Sequence, residues 1–269
     1  MASSNPAFNN SPAFSERSSI AAKLPKSPVT PTAEQLTELY SRPSATPVET
    51  DRMSYEDTVV KIVVTFVFLL IGAGVGWFVP ALAVPAALVG FGLALVNIFK
   101  RKPSPALVLS YSAVEGVFVG GITVFFESRF PGIAVQAVIG TLAVVGVTLA
   151  LFASGKVRAS RKATKVFLIA MVGYAVFSII NVILIATGVN RDAFGLSSAT
   201  IFGIPLGLLI GVVVIIMAAY SLVLDFDSIK TGVQRGAPRA YAWTAAFGIM
   251  VTVVWLYLEI LRMLAILRR

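Results

Sequence analysis

The side chains in this chain that could carry chemistry are acids in places where a charge is unfavourable. The stretch SLVLDFDSIKTG, residues 221–232, closes an apolar run with Asp225 and Asp227; SAVEGVFVGG sets Glu115 among glycines, and WLYLEILRML sets Glu259 inside another apolar run. A lone carboxylate within a membrane helix costs about 2.5 to 3.5 kcal/mol on insertion scales, so such groups face the bundle and have partners. Arg262 follows Glu259 by three residues on the same helical face, and a structural ion pair and a functional site are equally good readings there. Glu115 reads either as an acid that pins two helices or as a functional group. Asp225 and Asp227 are two apart and point about 200° from one another in a helix. One of them therefore looks into the bundle and the other towards water, at the point where the helix leaves the hydrocarbon.

The elements that hold these acids follow from hydropathy. Apolar stretches fall near 61–79, 82–99, 106–126, 133–153, 165–187, 201–224 and 241–266, each near the ~20 residues that cross ~30 Å of hydrocarbon. Pro80 and Pro85 divide the first two with a tight turn. Gly72 and Gly76, Gly116 and Gly120, and Gly207 and Gly211 are GxxxG pairs, which let backbones approach closely in lipid and read first as packing within the bundle. The expected fold class is an all-α integral membrane protein, a seven-transmembrane-helix bundle at residues 58–269. Residues 1–57, rich in Ser, Pro and Thr, are expected to form a disordered cytoplasmic tail, without the apolar core of a signal peptide.

Charge orients the bundle and narrows the function. Of 269 residues 57% are hydrophobic and 13% charged, too apolar a balance for a soluble domain. Residues 1–60 hold 5 Lys/Arg and 7 Asp/Glu, so the remainder holds 17 bases and 6 acids, a net of +11. Eleven of those bases occupy alternate loops: Lys100, Arg101 and Lys102; Lys156, Arg158, Arg161, Lys162 and Lys165; Lys230, Arg235 and Arg239. The intervening loops hold Arg129 and Arg191, each beside an acid, Glu127 and Asp192. The positive-inside rule makes the eleven-base side and the N-terminus cytoplasmic; Arg268 and Arg269 then end on the opposite side. Topology accounts for the basic charge better than nucleic-acid binding does. The absence of His and Cys removes serine-triad and thiol catalysis and Cys/His metal sites, no GxGD accompanies the acids as in intramembrane aspartyl proteases, and no enzyme activity or cofactor is expected.

SAVEGVFVGGITVFFES, FPGIAVQAVIGT, SLVLDFDSIKTG and WLYLEILRML, in this order and spacing over residues 60–269, resemble the Bax inhibitor family, and within it the bacterial YccA-like branch. The resemblance implies seven helices with the last one central, and a pH-dependent calcium leak governed by one acid near the end of helix six and one in helix seven. Asp227, in FDSIK, matches the first, and Glu259, in LYLE, the second; Arg101 or a neighbour matches an arginine that pairs with the first acid. Two such carboxyls in contact would share a proton and titrate as a coupled pair, and with a few carbonyls they would hold calcium or another cation only weakly. The connection TGVQRGAPRAYAWTAAFG looks longer than the family pattern, and the last segment, ~39 Å as a helix, is expected to lay its first turns on the surface around Trp243. The alternative function is a non-conducting membrane interaction protein that modulates a membrane-bound protease or stress response, a role with which the resemblance to YccA-like proteins is linked. The expected setting is a bacterial plasma membrane, with the lipid bilayer as the principal partner.

Overall fold

The computed structural model describes residues 51–190, 192 and 194–269. The tail residues 1–50 and Arg191 lie outside the described residues. Seven helices are long and apolar enough to span a membrane: α1 Tyr55–Phe78, α2 Ala83–Phe99, α3 Pro105–Glu127, α4 Ile133–Ala153, α5 Arg161–Ala186, α6 Leu206–Gln234 and α7 Ala242–Leu267. The boundaries are chemically marked. Ser54 caps α1, accepting from the Asp57 amide, and Ser160 caps α5, accepting from the Ala163 amide. A short 3-10 turn, Pro80–Leu82, carries the chain into α2.

The tightest pairing is α1 on α3, and both GxxxG pairs make it. A methyl group at Gly72 or Gly76 would run into the carbonyl oxygens of Ala113 or Val117, and one at Gly116 or Gly120 into those of Leu69 or Ala73. Gly207 and Gly211 open α6 to Ile266 and Met263 of α7. The last helix is the centre: 56% of its apolar window is buried, whereas α5 buries none of its own. α7 packs along α6, α1, α4 and α3, and α5 lies at the edge with Phe167 as its buried residue.

Five features differ from the sequence reading. α6 does not end at the acids; nothing in LDFDSIKTGVQ breaks a helix, so it runs 29 residues to Gln234, where Gly236 at φ 62° turns the chain. The connection to α7 is therefore short, residues 235–241, because the helices absorb its apparent extra length. Residues 200–205 form a two-stranded hairpin whose turn has Phe202 and Gly203 at positive φ, and α6 starts only at Leu206. The first turns of α7 are not on the surface: Ala242, Ala245 and Ala246 are fully buried under the N-terminal part of α1.

The fifth difference is the start of the membrane domain. Met53 is 2% exposed and packs against Ile229, Ala242 and Ala245. Its amide donates to the Ala237 carbonyl at 2.7 Å, and the Arg239 amide donates to the Asp51 carbonyl at 2.9 Å. Asp57 accepts from Arg239, and from Lys61, whose ammonium also reaches the Arg239 carbonyl at 3.0 Å. Residues 51–57 thus belong to the bundle, clamped to the α6–α7 connection, and the boundary expected after residue 57 moves towards the N-terminus.

Candidate functional site

α6 turns Asp225 into the bundle and leaves Asp227 half-exposed. Because α6 continues two turns past these acids, Asp225 is a helix-interior residue, 0% exposed beside Leu222 and Leu224. Thr252 of α7 donates its hydroxyl to Asp225 Oδ2 at 2.7 Å. The Ser221 hydroxyl lies 3.4 Å from that of Thr252; since Thr252 has one proton and gives it to Asp225, Ser221 is the donor in this pair. Ser221 and Asp225, one turn apart on α6, are thereby bridged by one threonine.

Glu259 sits in a second network. It is 3% exposed and forms an ion pair with Arg262, whose Nε is 3.3 Å from Oε2. Tyr174 of α5 donates its phenol to the same Oε2 at 2.9 Å. Arg262 donates in turn to Ser197 at 3.2 Å, in the 3-10 turn Gly195–Ser198 ahead of the hairpin. Both oxygens of this buried carboxylate therefore accept hydrogen bonds, the arrangement a desolvated ion pair requires.

The two networks are separate. Thr252 and Glu259 are seven residues apart, two turns and about 10 Å along α7 on nearly the same face. Between them lies an apolar plug: Leu222, Ala218 and Leu256, all 0% exposed, flanked by Trp255 packed with Met217 and Leu224. The polar groups on the α7 face thus form two stations with a dry gap, and the structure does not bring Asp227 to Glu259. Glu115 stands elsewhere, half-buried on α3, where a methyl at Gly90 of α2 would lie 3.0 Å from its Oε2; Tyr111 is its polar neighbour one turn earlier. Arg101 is exposed in the α2–α3 connection, lining a small cleft with Tyr241 and Thr244, and takes part in none of the ion pairs among the described residues. Among the described residues no three acidic, histidine or cysteine side chains come together to hold a metal ion.

On the face opposite the basic loops, Arg269 pairs with Asp192 and reaches Ser198 at 3.0 Å, while Arg268 donates to the Pro131 carbonyl at 2.8 Å. Of the basic pair that runs against the charge rule, Arg269 is thus neutralised by an acid and Arg268 is bonded to a carbonyl, and together they clip two loops to the end of α7. The Arg269 guanidinium, and then the Ser198 hydroxyl, hold the Asp192 carboxyl at a pKa of about 2. Glu127 caps α4 by accepting from the amides of Gly132 at 2.6 Å and Ala134 at 2.9 Å.

Tyr174, Ser197, Ser221 and Thr252 were not singled out from the sequence. One signal was available: Tyr174, Ser178 and Asn181 fall at i, i+4 and i+7 of an otherwise apolar α5, a polar stripe that marks its inward face. Asn181 uses it to hold the loop, accepting from the Leu196 amide at 2.7 Å and donating to the Phe194 carbonyl at 3.2 Å.

The fold and the intramembrane acids define a multi-pass helical membrane protein. A family model described as Bax inhibitor 1 like matches residues 5–269, and the chain belongs to the Bax inhibitor family. No curated protein matches it.

Proposed function

We propose that the protein is a pH-sensitive cation leak, with calcium as its ion, in a bacterial plasma membrane with the basic face in the cytoplasm. The observation that carries this reading is the pair of carboxylates, Asp225 at 0% and Glu259 at 3% exposure, on adjacent spans. Acids at that depth are unfavourable, and their usual uses are ion and proton pathways.

The geometry favours a mechanism different from one shared proton. Asp225 and Glu259 act as two stations along α7, and Leu222, Leu256 and Trp255 between them keep the leak closed. A cation can take the upper station only when Arg262 leaves Glu259, and Ser197 offers the guanidinium an alternative acceptor. At the lower station, Asp225 supplies charge and Thr252 and Ser221 supply neutral oxygens, a weak set suited to passage. Protonation of either carboxyl removes the charge that attracts the ion, so flux falls when either station takes up a proton.

The test is calcium entry into liposomes containing this protein alone, scanned over about pH 6 to 8. Flux that depends on pH, with the dependence altered in both Asp225→Asn and Glu259→Gln, is expected. Absence of flux from correctly folded protein overturns the leak and leaves the protease-modulating interaction protein as the better reading.

A further inference from the structure

We propose that a crevice between α1, α3, α4 and α7 is a binding site for one acyl chain of a bilayer phospholipid. α7 is covered along most of its length, but Val253 and Tyr257 are left only half-buried where α1 and α4 part. The gap is a cavity of about 580 Å³ that opens sideways between Leu70 and Gly74 of α1 and Val138 and Leu142 of α4, a size within the range of ligand pockets, about 300 to 1,000 Å³.

Its position and chemistry select the occupant. Leu70, Val138 and Tyr257 all lie well inside membrane-spanning helices, so the mouth faces hydrocarbon and not water. The hydroxyls in the lining are already paired: Thr123 donates to the Val119 carbonyl at 2.6 Å and lies 2.8 Å from the Tyr257 hydroxyl, and Thr141 donates to the Ala137 carbonyl at 2.8 Å. With the Thr123 proton given to Val119, Tyr257 is the donor to Thr123, and neither hydroxyl proton is left to donate to a water or an anion. A polar ligand would find no free hydroxyl donor here, whereas a lipid tail fills the space by dispersion contacts without leaving its own medium. Trp77, one residue from the end of α1, stands at the rim, where its amphipathic ring suits the headgroup level. A chain seated here presses on α7 between the Thr252 and Glu259 positions, from the side away from α6.

The full-length protein in phosphatidylethanolamine and phosphatidylglycerol vesicles, with a trace of phospholipid bearing a diazirine midway along one chain, would be irradiated and the crosslinks mapped by mass spectrometry. Labels are expected to concentrate on Gly74, Trp77, Val138, Leu142 and Tyr257, above the level on Val166, Ile169 and Val172, which lie 64 to 67% exposed on the outer face of α5. No atom comes within 4 Å of a methyl placed at Gly74, so Gly74→Phe directs its ring into the crevice and lowers crevice labelling to the α5 level while α5 labelling is unchanged. Val138→Phe fills the same space from the opposite wall and gives the same loss should the first variant not fold. Crevice labelling no higher than that on α5, or labelling unaltered in a folded filling variant, overturns the site and leaves an ordinary lipid-facing surface.

Discussion

Thr252 of α7 and Asp225 of α6 join the central helix to its neighbour through one hydroxyl-to-carboxyl hydrogen bond of 2.7 Å between two almost fully buried groups. Removing that donor with a side chain of the same shape, Thr252→Val, leaves the carboxyl with one partner fewer. The expected loss is about 1 to 3 kcal/mol, read as a lower melting temperature in detergent, with Thr252→Ser close to wild type. Equal losses in the two variants would show that packing, and not the hydroxyl, is what Thr252 contributes.

The Glu259–Arg262 pair predicts non-additivity. Arg262→Met leaves a buried carboxylate without its counter-charge and is expected to cost about 3 to 5 kcal/mol. Arg262→Met combined with Glu259→Gln removes both charges and should be more stable than Arg262→Met alone. A double-mutant cycle on thermal unfolding checks this, and a coupling near zero would refute the pair as a structural unit.

The Asp192–Arg269 clip has a defined pH window. Its carboxyl pKa is depressed to about 2 from 3.8, so its contribution is fully present above the ordinary value and is lost as pH falls through the range between the two. Nothing in the clip changes between about pH 6 and 8. Asp192→Asn should therefore leave the pH profile of any flux in that range unshifted. The stability difference between this variant and wild type should shrink only under strongly acid conditions; a difference that already fades near neutrality would contradict the assignment.

The clamp at residues 51–57 predicts that the N-terminal approach to α1 is structural. Met53→Ala empties a buried position and should cost about 2 to 5 kcal/mol. Truncation through Asp57 should destabilise further, since it also takes the partner of Arg239 and Lys61. Thermal melts of both variants decide this: an unchanged melting temperature would mean that the α6–α7 connection does not depend on the clamp.

Glycines divide by position. Gly116→Ala drives a methyl into the Leu69 carbonyl and should cost about 1 to 3 kcal/mol or more, whereas Gly92→Ala meets nothing within 4 Å and should gain up to about 1 kcal/mol from helix propensity. Paired melting curves for these two variants separate close helix approach from a general intolerance of alanine.

Hydropathy made the seven spans legible, and the GxxxG spacing identified the glycines that join α1 to α3, because both signals are local. The phase of α6 was not. Choosing between Asp225 and Asp227 required knowing that the helix continues to Gln234, and the polar character of DSIKTGVQ hides this from a hydropathy window. Arg262 was visible from its spacing to Glu259, but Tyr174 and Ser197 come from 85 and 65 residues away, and only packing reveals them. The same holds for Met53 and Ala237. Tertiary pairs of this kind leave no periodic trace in one sequence.

The central position of α7 has a consequence for biosynthesis. Ribosomes release a chain in order, and α7 leaves after α1 to α6 have reached the bilayer. Those helices must then wait around a vacant groove lined with the glycines of α6 and the buried acid at Asp225. Until α7 arrives, neither Thr252 for Asp225 nor the carboxylate for Tyr174 is present. The half-made protein is therefore a distinct species, with polar groups open to lipid, and the final helix enters as the wedge that closes it.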